Sequence, residues 1–298
     1  MQKGVYENLK PPLQLLLAFV TVGVSMIVTV LLWFFILMIF KGEDYYTMLS
    51  LTANDADFLR NSQIVQSFAV FIFPPLIVAF LVSKNVFKWL CFDKPKMILI
   101  LLALILIFIC QPMISFLVEM NHSIEFPQFL KSFEYKMRLQ ESETNNLLFK
   151  ILDTKQPFII LLNVFMVVIL AAFGEEMLFR GTLQPLFGKV FKNDHAAVWV
   201  TAFLFSFIHF QFMTFIPRFI LGALFGYIFL YGKNIWYPIV AHFLNNLMSL
   251  VVFYYYRYTQ PDINPMELQD NEFGTLMIIG SFLAVGAIGW LFYKFRIK

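Results

Sequence analysis

The sequence predicts an all-α fold, a polytopic membrane helix bundle of about eight transmembrane helices with both termini in the cytoplasm. Three observations carry this. Hydrophobic residues make up 60% of the 298-residue chain, charged residues only 14%, and mean hydropathy is +0.74, values that exclude an ordinary soluble domain. The apolar residues fall in runs long enough to cross hydrocarbon. Basic residues collect in alternate connecting segments, as the positive-inside rule requires of a threaded chain.

The spans are expected at about 12–40, 62–82, 97–119, 157–180 or beyond, 196–210, 218–231, 235–255 and 274–293. The first run, Leu13 to Phe40, is too long for a signal-peptide core and lacks a small-residue cleavage pattern, so it reads as a retained span. With the N-terminus inside, segments 1–11, 83–96, 180–195, 232–234 and 294–298 hold 13 of the 22 Lys and Arg. The acidic loops then fall outside: Glu43, Asp44, Asp55 and Asp57 in one, Asp262, Glu267, Asp270 and Glu272 in another. The loop 120–155 carries Phe126, Phe129, Leu130, Phe133 and Met137 at helical spacing, with Lys131, Glu134 and Arg138 opposite. That pattern predicts an amphipathic connector on the membrane surface. The net charge of +3 is dispersed, so no basic block speaks for nucleic acid. Cys91 and Cys110 offer neither a disulfide framework nor a metal-ligand spacing. Three parts follow: residues 1–155 with spans one to three and the connector, a core at 156–255, and an outer loop with the last span at 256–298.

The core is marked by Ala171-Ala172-Phe173-Gly174-Glu175-Glu176-Met177-Leu178-Phe179-Arg180, two carboxylates and an arginine after an unbroken apolar run. An unpaired charge in lipid costs a few kcal/mol, about 2.5–3.5 on insertion scales, so such groups need a reason. Glu176 and Arg180 are i,i+4 and pair on one face, whereas Glu175 points about 100° away without a local partner. Downstream, His209 follows Phe205 at i+4, and His242 precedes Asn246 at i+4. His122 and His195 lie in connecting segments and read as solvated.

Depth sets a condition on the fold. His209 lies roughly 20 Å from the start of span five, and His242 roughly 10–13 Å into span seven. If span four stopped at Arg180, Glu175 would sit only roughly 8 Å deep. If the helix runs on to about Phe187, Glu175 moves to roughly 18 Å and the three groups converge. Leu183, Leu186 and Phe187 allow that extension, while Gly181 and Pro185 argue for a kink. A long, bent fourth helix is therefore expected, with a buried Glu176–Arg180 pair. A polar cavity opening to the cytoplasm is expected among spans four to seven.

The three motifs, Glu175-Glu176-x-x-x-Arg180, Phe205-x-x-x-His209 and His242-x-x-x-Asn246, resemble the CPBP family when taken in that order. These are the CAAX-protease and bacteriocin-processing membrane proteins, which include the type II CAAX prenyl endopeptidases. The resemblance covers about residues 156–255. It implies intramembrane proteolysis of a membrane-anchored or lipidated peptide or protein, with Glu175 activating water and Glu176 held by Arg180. His209, His242 and Asn246 map to the family's remaining polar positions. A carboxylate in a low-dielectric pocket is a better base towards water, and His and Asn donors suit an oxyanion. The set Glu175, His209 and His242 equally suits Zn²⁺ as a His₂Glu site with one open position. The sequence alone leaves both chemistries open.

Two other classes compete. A proton-coupled transporter would carry an internal repeat with polar groups in both halves, and spans one to three hold almost no buried charge. A non-catalytic scaffold or immunity protein of the same family would read alike, although the intact polar set argues against it. A prenylated C-terminal peptide, a peptide leader and a membrane-anchored regulator all remain open as substrates.

Overall fold

The structure is a computed structural model and describes residues 6, 8–41, 55–260, 262–266 and 273–296. Glu43, Asp44, Glu267, Asp270 and Glu272, placed in the acidic loops above, lie outside the described residues. Ten principal helices follow in order. They are α1 Pro11–Lys41, α2 Ala56–Val82, α3 Met97–Ile109, α4 Gln111–His122, α5 Lys131–Leu152, α6 Pro157–Phe191, α7 Asp194–Phe207, α8 Phe215–Gly232, α9 Trp236–Thr259 and α10 Thr275–Lys294. Among the described residues there is no strand. This is a multi-pass integral membrane protein.

The count of spans departs from eight. Among the described residues, six helices are long and apolar enough to cross a membrane, and seven if α3 and α4, which meet at 43°, form one broken span. Pro112 accounts for that break, because it opens α4 where α3 ends at Cys110. The remaining expected span, α7, has 14 residues and reaches only about 21 Å against a hydrocarbon core of about 30 Å. It packs as a hairpin arm against α8, and the turn between them carries His209.

Local chemistry sets the helix ends. Asp55 accepts from the backbone N–H of Asp57 and Phe58 to start α2, and Asn193 does the same for His195 and Ala196 at α7. His195 thus stands in the first turn of α7, exposed, with Nδ1 3.2 Å from the Tyr227 hydroxyl. Most side chains of α1 and α10 turn outwards and are apolar, as lipid-facing helices require.

The long fourth span is continuous over 35 residues. It absorbs Gly181 and Pro185 through a π-helical turn at Phe179–Leu183, which widens the helix before the proline. Thr182 Oγ1 donates to the Met177 carbonyl at 3.0 Å within that turn. Gly174 lets α6 close on α2: a Cβ there would stand 2.9 Å from Phe71 Cβ. Glu175 lies 16 residues before the end of α6, about 24 Å along its axis.

A buried polar pin fixes the other end. Arg60 of α2, 2% exposed, donates Nε to Asn163 Oδ1 and Nη2 to the Ile151 carbonyl, each at 2.7 Å, and pairs with Asp57. Asn163 Nδ2 in turn reaches the Tyr254 hydroxyl at 3.0 Å, so α2, α5, α6 and α9 are tied at one level.

The connector is a helix over Lys131–Leu152, with Phe129 and Phe133 exposed at its start. Met137, Glu134 and Glu141 are buried against the bundle. Glu141 has its partners there. Its Oε2 accepts from Met213 N at 2.7 Å and its Oε1 from Thr214 Oγ1 at 3.1 Å. Two donors in the turn before α8 therefore hold Glu141 inwards.

Candidate functional site

Five of the six residues singled out from the sequence meet at one place. Glu176 and Arg180 are both wholly buried on α6, with Nη1 donating to Oε1 at 2.7 Å. Arg180 Nη2 donates to the Gly222 carbonyl of α8 at 2.8 Å. Its guanidinium lies 4.7 Å from the Phe205 ring centroid and 5.4 Å from that of Phe225. The same Glu176 oxygen lies 2.9 Å from His242 Nδ1 on α9. Arg180 thus links α6 to α8, and its carboxylate partner orients an imidazole on α9.

Glu175 takes the other direction. Its Oε2 stands 3.9 Å from His209 Nε2 and 4.0 Å from His242 Nε2, and has no hydrogen-bond partner. Both separations exceed a hydrogen bond and suit one water about 2.8 Å from each atom.

The partners of the two Nδ1 atoms decide what the Nε2 atoms offer. His209 Nδ1 lies 2.7 Å from the Phe205 carbonyl, which can only accept, so Nδ1 carries the proton. His242 Nδ1 faces the Glu176 carboxylate and carries its proton for the same reason. In the neutral rings, both Nε2 lone pairs point to the space beside Glu175. Ring packing fixes them there: His242 stacks on Phe225 at 5.0 Å, and Phe205 meets both imidazoles edge-on at 5.3 and 5.8 Å. Phe205 thus packs on both imidazoles, and the i,i+4 spacing announces only its contact with His209.

Asn246 takes another position. Its Nδ2 donates to the Val167 carbonyl at 3.0 Å, within the π-helical turn at Phe165–Leu170, and its Oδ1 accepts from Asn245 at 3.3 Å. It also lines a cavity of about 640 Å³ bounded by α4, α5, α6 and α9. A smaller cavity of about 350 Å³ at the opposite end, between Cys91, Lys189 and Lys233, reaches up to Gln184. The expected opening at the Lys189 end thus meets Leu183, Phe179 and Arg180, all buried, between that cavity and Glu175. The larger space lies towards α5.

The donor set has the chemistry of a zinc site, with two imidazole nitrogens, a carboxylate and a carboxylate behind one imidazole. Its spacing does not fit. Ligands about 2.0–2.1 Å from a tetrahedral zinc stand roughly 3.3 Å apart, below the 3.9 and 4.0 Å observed. Among the described residues, no group of three His, Cys, Asp or Glu is arranged to hold a metal ion.

Sequence reading missed Arg218, in the first turn of α8. Its Nη2 donates to Gln211 Oε1 at 2.6 Å and lies 3.3 Å from Thr214 Oγ1, while Nη1 is buried without a partner. No i,i+4 partner announced it, because its contacts run to a turn. On α5, outside the spans, the hydrogen bond from Arg138 holds the Glu134 carboxyl below its ordinary range.

Fold and site define a polytopic membrane protein with a buried glutamate pair, an arginine and two histidines at its centre. Residues 157–248 match the family described as type II CAAX prenyl endopeptidase Rce1-like, a match that supports the resemblance of this stretch to the CPBP family. The chain is also 30% identical over 86 residues to the uncharacterized protein YpbD of Bacillus subtilis (strain 168). That alignment covers 28% of this chain and 41% of YpbD, so the chain matches less than half of that relative's length. No solved structure matches.

Proposed function

We propose that the protein is an intramembrane endopeptidase that hydrolyses a peptide bond in a membrane-anchored or lipidated substrate with a glutamate-activated water. The observation that carries this reading is Glu175 Oε2, buried and unpaired, facing two imidazole Nε2 atoms at 3.9 and 4.0 Å. The family match over residues 157–248 supports an endopeptidase of the CAAX type. Residues 156–255 form the catalytic core in this reading, with the remaining helices as its frame.

Water held by Glu175 and the imidazoles adds its oxygen to the substrate carbonyl carbon, and its proton passes to Glu175. The carbonyl π electrons move to oxygen. Collapse of the tetrahedral species breaks the C–N bond, and the proton on Glu175 goes to the leaving amine. Glu176 and Arg180 stay out of the proton transfer and hold His242 in its tautomer.

The test is Glu175→Gln, which keeps the shape and removes the base. Cleavage of a farnesylated fluorogenic peptide ending in Cys-aliphatic-aliphatic-X should be lost in proteoliposomes, with the melting temperature in detergent unchanged. Turnover near that of the natural protein would refute the role of Glu175.

A further inference from the structure

The turn that carries His209 leaves backbone groups without helical partners. α7 reaches only about 21 Å, so the chain leaves one helix at Phe207 and enters the next at Phe215 within the thickness of a bilayer. Irregular backbone at that depth persists only where other groups of the protein satisfy it. His209 sits where α7 frays, its N–H reaching the Ser206 carbonyl at 3.3 Å. Phe210, the next residue, has a φ of 52°, a left-handed conformation that a bulky residue holds only where its surroundings impose it.

Those surroundings include helices that precede the family match at 157–248. Asn121 of α4, 5% exposed, donates Nδ2 to the Phe212 carbonyl at 3.1 Å and accepts from Ile216 N at 2.7 Å. Its amide thus spans the short 3₁₀ turn Phe212–Thr214. Glu141 of α5, equally buried, takes Met213 N and Thr214 Oγ1 beside the start of α8, where a carboxylate also meets the positive end of the helix. Asn145, one turn further along α5, accepts from Gln211 Nε2 at 3.3 Å. From within the matched stretch, Ser206 Oγ donates to the Phe215 carbonyl at 2.8 Å. The segment after His209 is therefore pinned by α4 and α5 as well as by α7.

We propose that Asn121 and Glu141 are positioning residues for His209. They hold the left-handed turn that keeps its Nδ1 on the Phe205 carbonyl and its Nε2 towards Glu175. Both act through the backbone of the turn and not on the peptide bond being cut. The inference rests on the endopeptidase reading above.

The experiment uses the full chain in proteoliposomes, with the farnesylated fluorogenic peptide for turnover and ¹⁵N-histidine NMR for the imidazole tautomers. The variants are Asn121→Ala, Asn121→Asp, Glu141→Ala and Glu141→Gln, each studied well below its melting temperature. Both alanine variants should lower kcat by about 10-fold or more with KM held within about threefold, since a misplacement of about 1 Å can cost about 100-fold in rate. Their His209 signal should divide between the two tautomers, while His242, held by Glu176, keeps its proton on Nδ1. Glu141→Gln keeps an acceptor for Met213 N, and the Thr214 hydroxyl can accept from its amide, so it should recover most of what Glu141→Ala loses. Asn121→Asp keeps only the acceptor for Ile216 N and should fall between the natural chain and Asn121→Ala. A lower melting temperature with kcat and the His209 tautomer unchanged would reduce both residues to braces and overturn the proposal. So would a loss confined to KM, or a lower kcat with His209 still wholly protonated at Nδ1. If Asn121→Ala does not fold, Asn121→Asp decides by the same two readouts, and values equal to the natural chain's would overturn the proposal. No cleavage by the natural chain would refute the endopeptidase reading, and the His209 tautomer would still judge the two residues.

Discussion

Replacing Arg180 by alanine is the sharpest test of how the centre of the bundle is held. Arg180 and Glu176 are both wholly buried, and the pair closes at 2.7 Å. Removing the cation strands Glu176 in a medium with no water to replace it, and also frees the Gly222 carbonyl that accepted Nη2 at 2.8 Å. Breaking one side of a buried pair costs about 3–5 kcal/mol, and an orphaned buried carbonyl about 1–3 kcal/mol. The two overlap in one side chain, so the expected loss is about 4–6 kcal/mol, including the packing against Phe205 and Phe225. At roughly 2–4 °C per kcal/mol for a protein of this order of size, the melting temperature should fall by about ten degrees or more. Thermal unfolding of the purified variant in detergent measures this directly. The double variant Arg180→Met with Glu176→Gln removes the stranded charge and should recover much of the loss. A fall of less than about 1 kcal/mol in Arg180→Ala would show the pair to be solvated and refute the buried-centre reasoning.

Other outcomes follow from named contacts. Glu141→Ala should destabilise the turn before α8 by about 1–3 kcal/mol, by orphaning Met213 N, and should lower cleavage by displacing His209; hydrogen exchange at 208–216 reads the first effect. Acidification should loosen the start of α5: the Arg138-bound Glu134 carboxyl is lower in the folded chain, so its stabilisation is present above the unfolded carboxylate range near pH 4.3 and lost as pH falls through the folded value. Exchange protection of 126–138 against pH checks this, and Glu134→Gln should lack the step. Treatment with a chelator should leave peptide cleavage unchanged; loss of activity restored by Zn²⁺ would show Glu175, His209 and His242 closing on a metal. A cysteine at Lys189 and one at Lys233, in a chain lacking Cys91 and Cys110, should both react with an impermeant thiol reagent from the cytoplasmic face only; labelling from the outside would invert the topology.

Much of the fold was legible because lipid imposes a coarse rule on sequence. Most apolar runs map onto helices with ends shifted by a few residues, from Pro11–Lys41 to Thr275–Lys294. The rule failed where hydropathy has no memory of length or partner. The run at 196–210 is apolar enough for a span, yet the helix stops at Phe207 and the chain turns through His209 and Phe210, whose φ is 52°. The buried acidic contact of α5 was not legible for a related reason. Amphipathic periodicity identifies two faces, but the two donors that hold Glu141, at Met213 and Thr214, lie more than seventy residues away.

The site shows the same division. Relations within one helix were readable, because i,i+4 spacing is geometry: Glu176 meets Arg180, and Phe205 packs on His209. Relations between helices needed the fold. Glu176 shares one oxygen between Arg180 on its own helix and His242 on another. That bond fixes the imidazole tautomer, which turns its Nε2 into an acceptor. Asn246 likewise takes a partner that the spacing could not announce, the Val167 carbonyl. Two adjacent glutamates therefore differ through their partners: one is held by a cation and sets a histidine, the other faces open space with nothing to bind. Arg218 went unread because it sits at the start of α8 and is held by a loop, where periodicity does not apply.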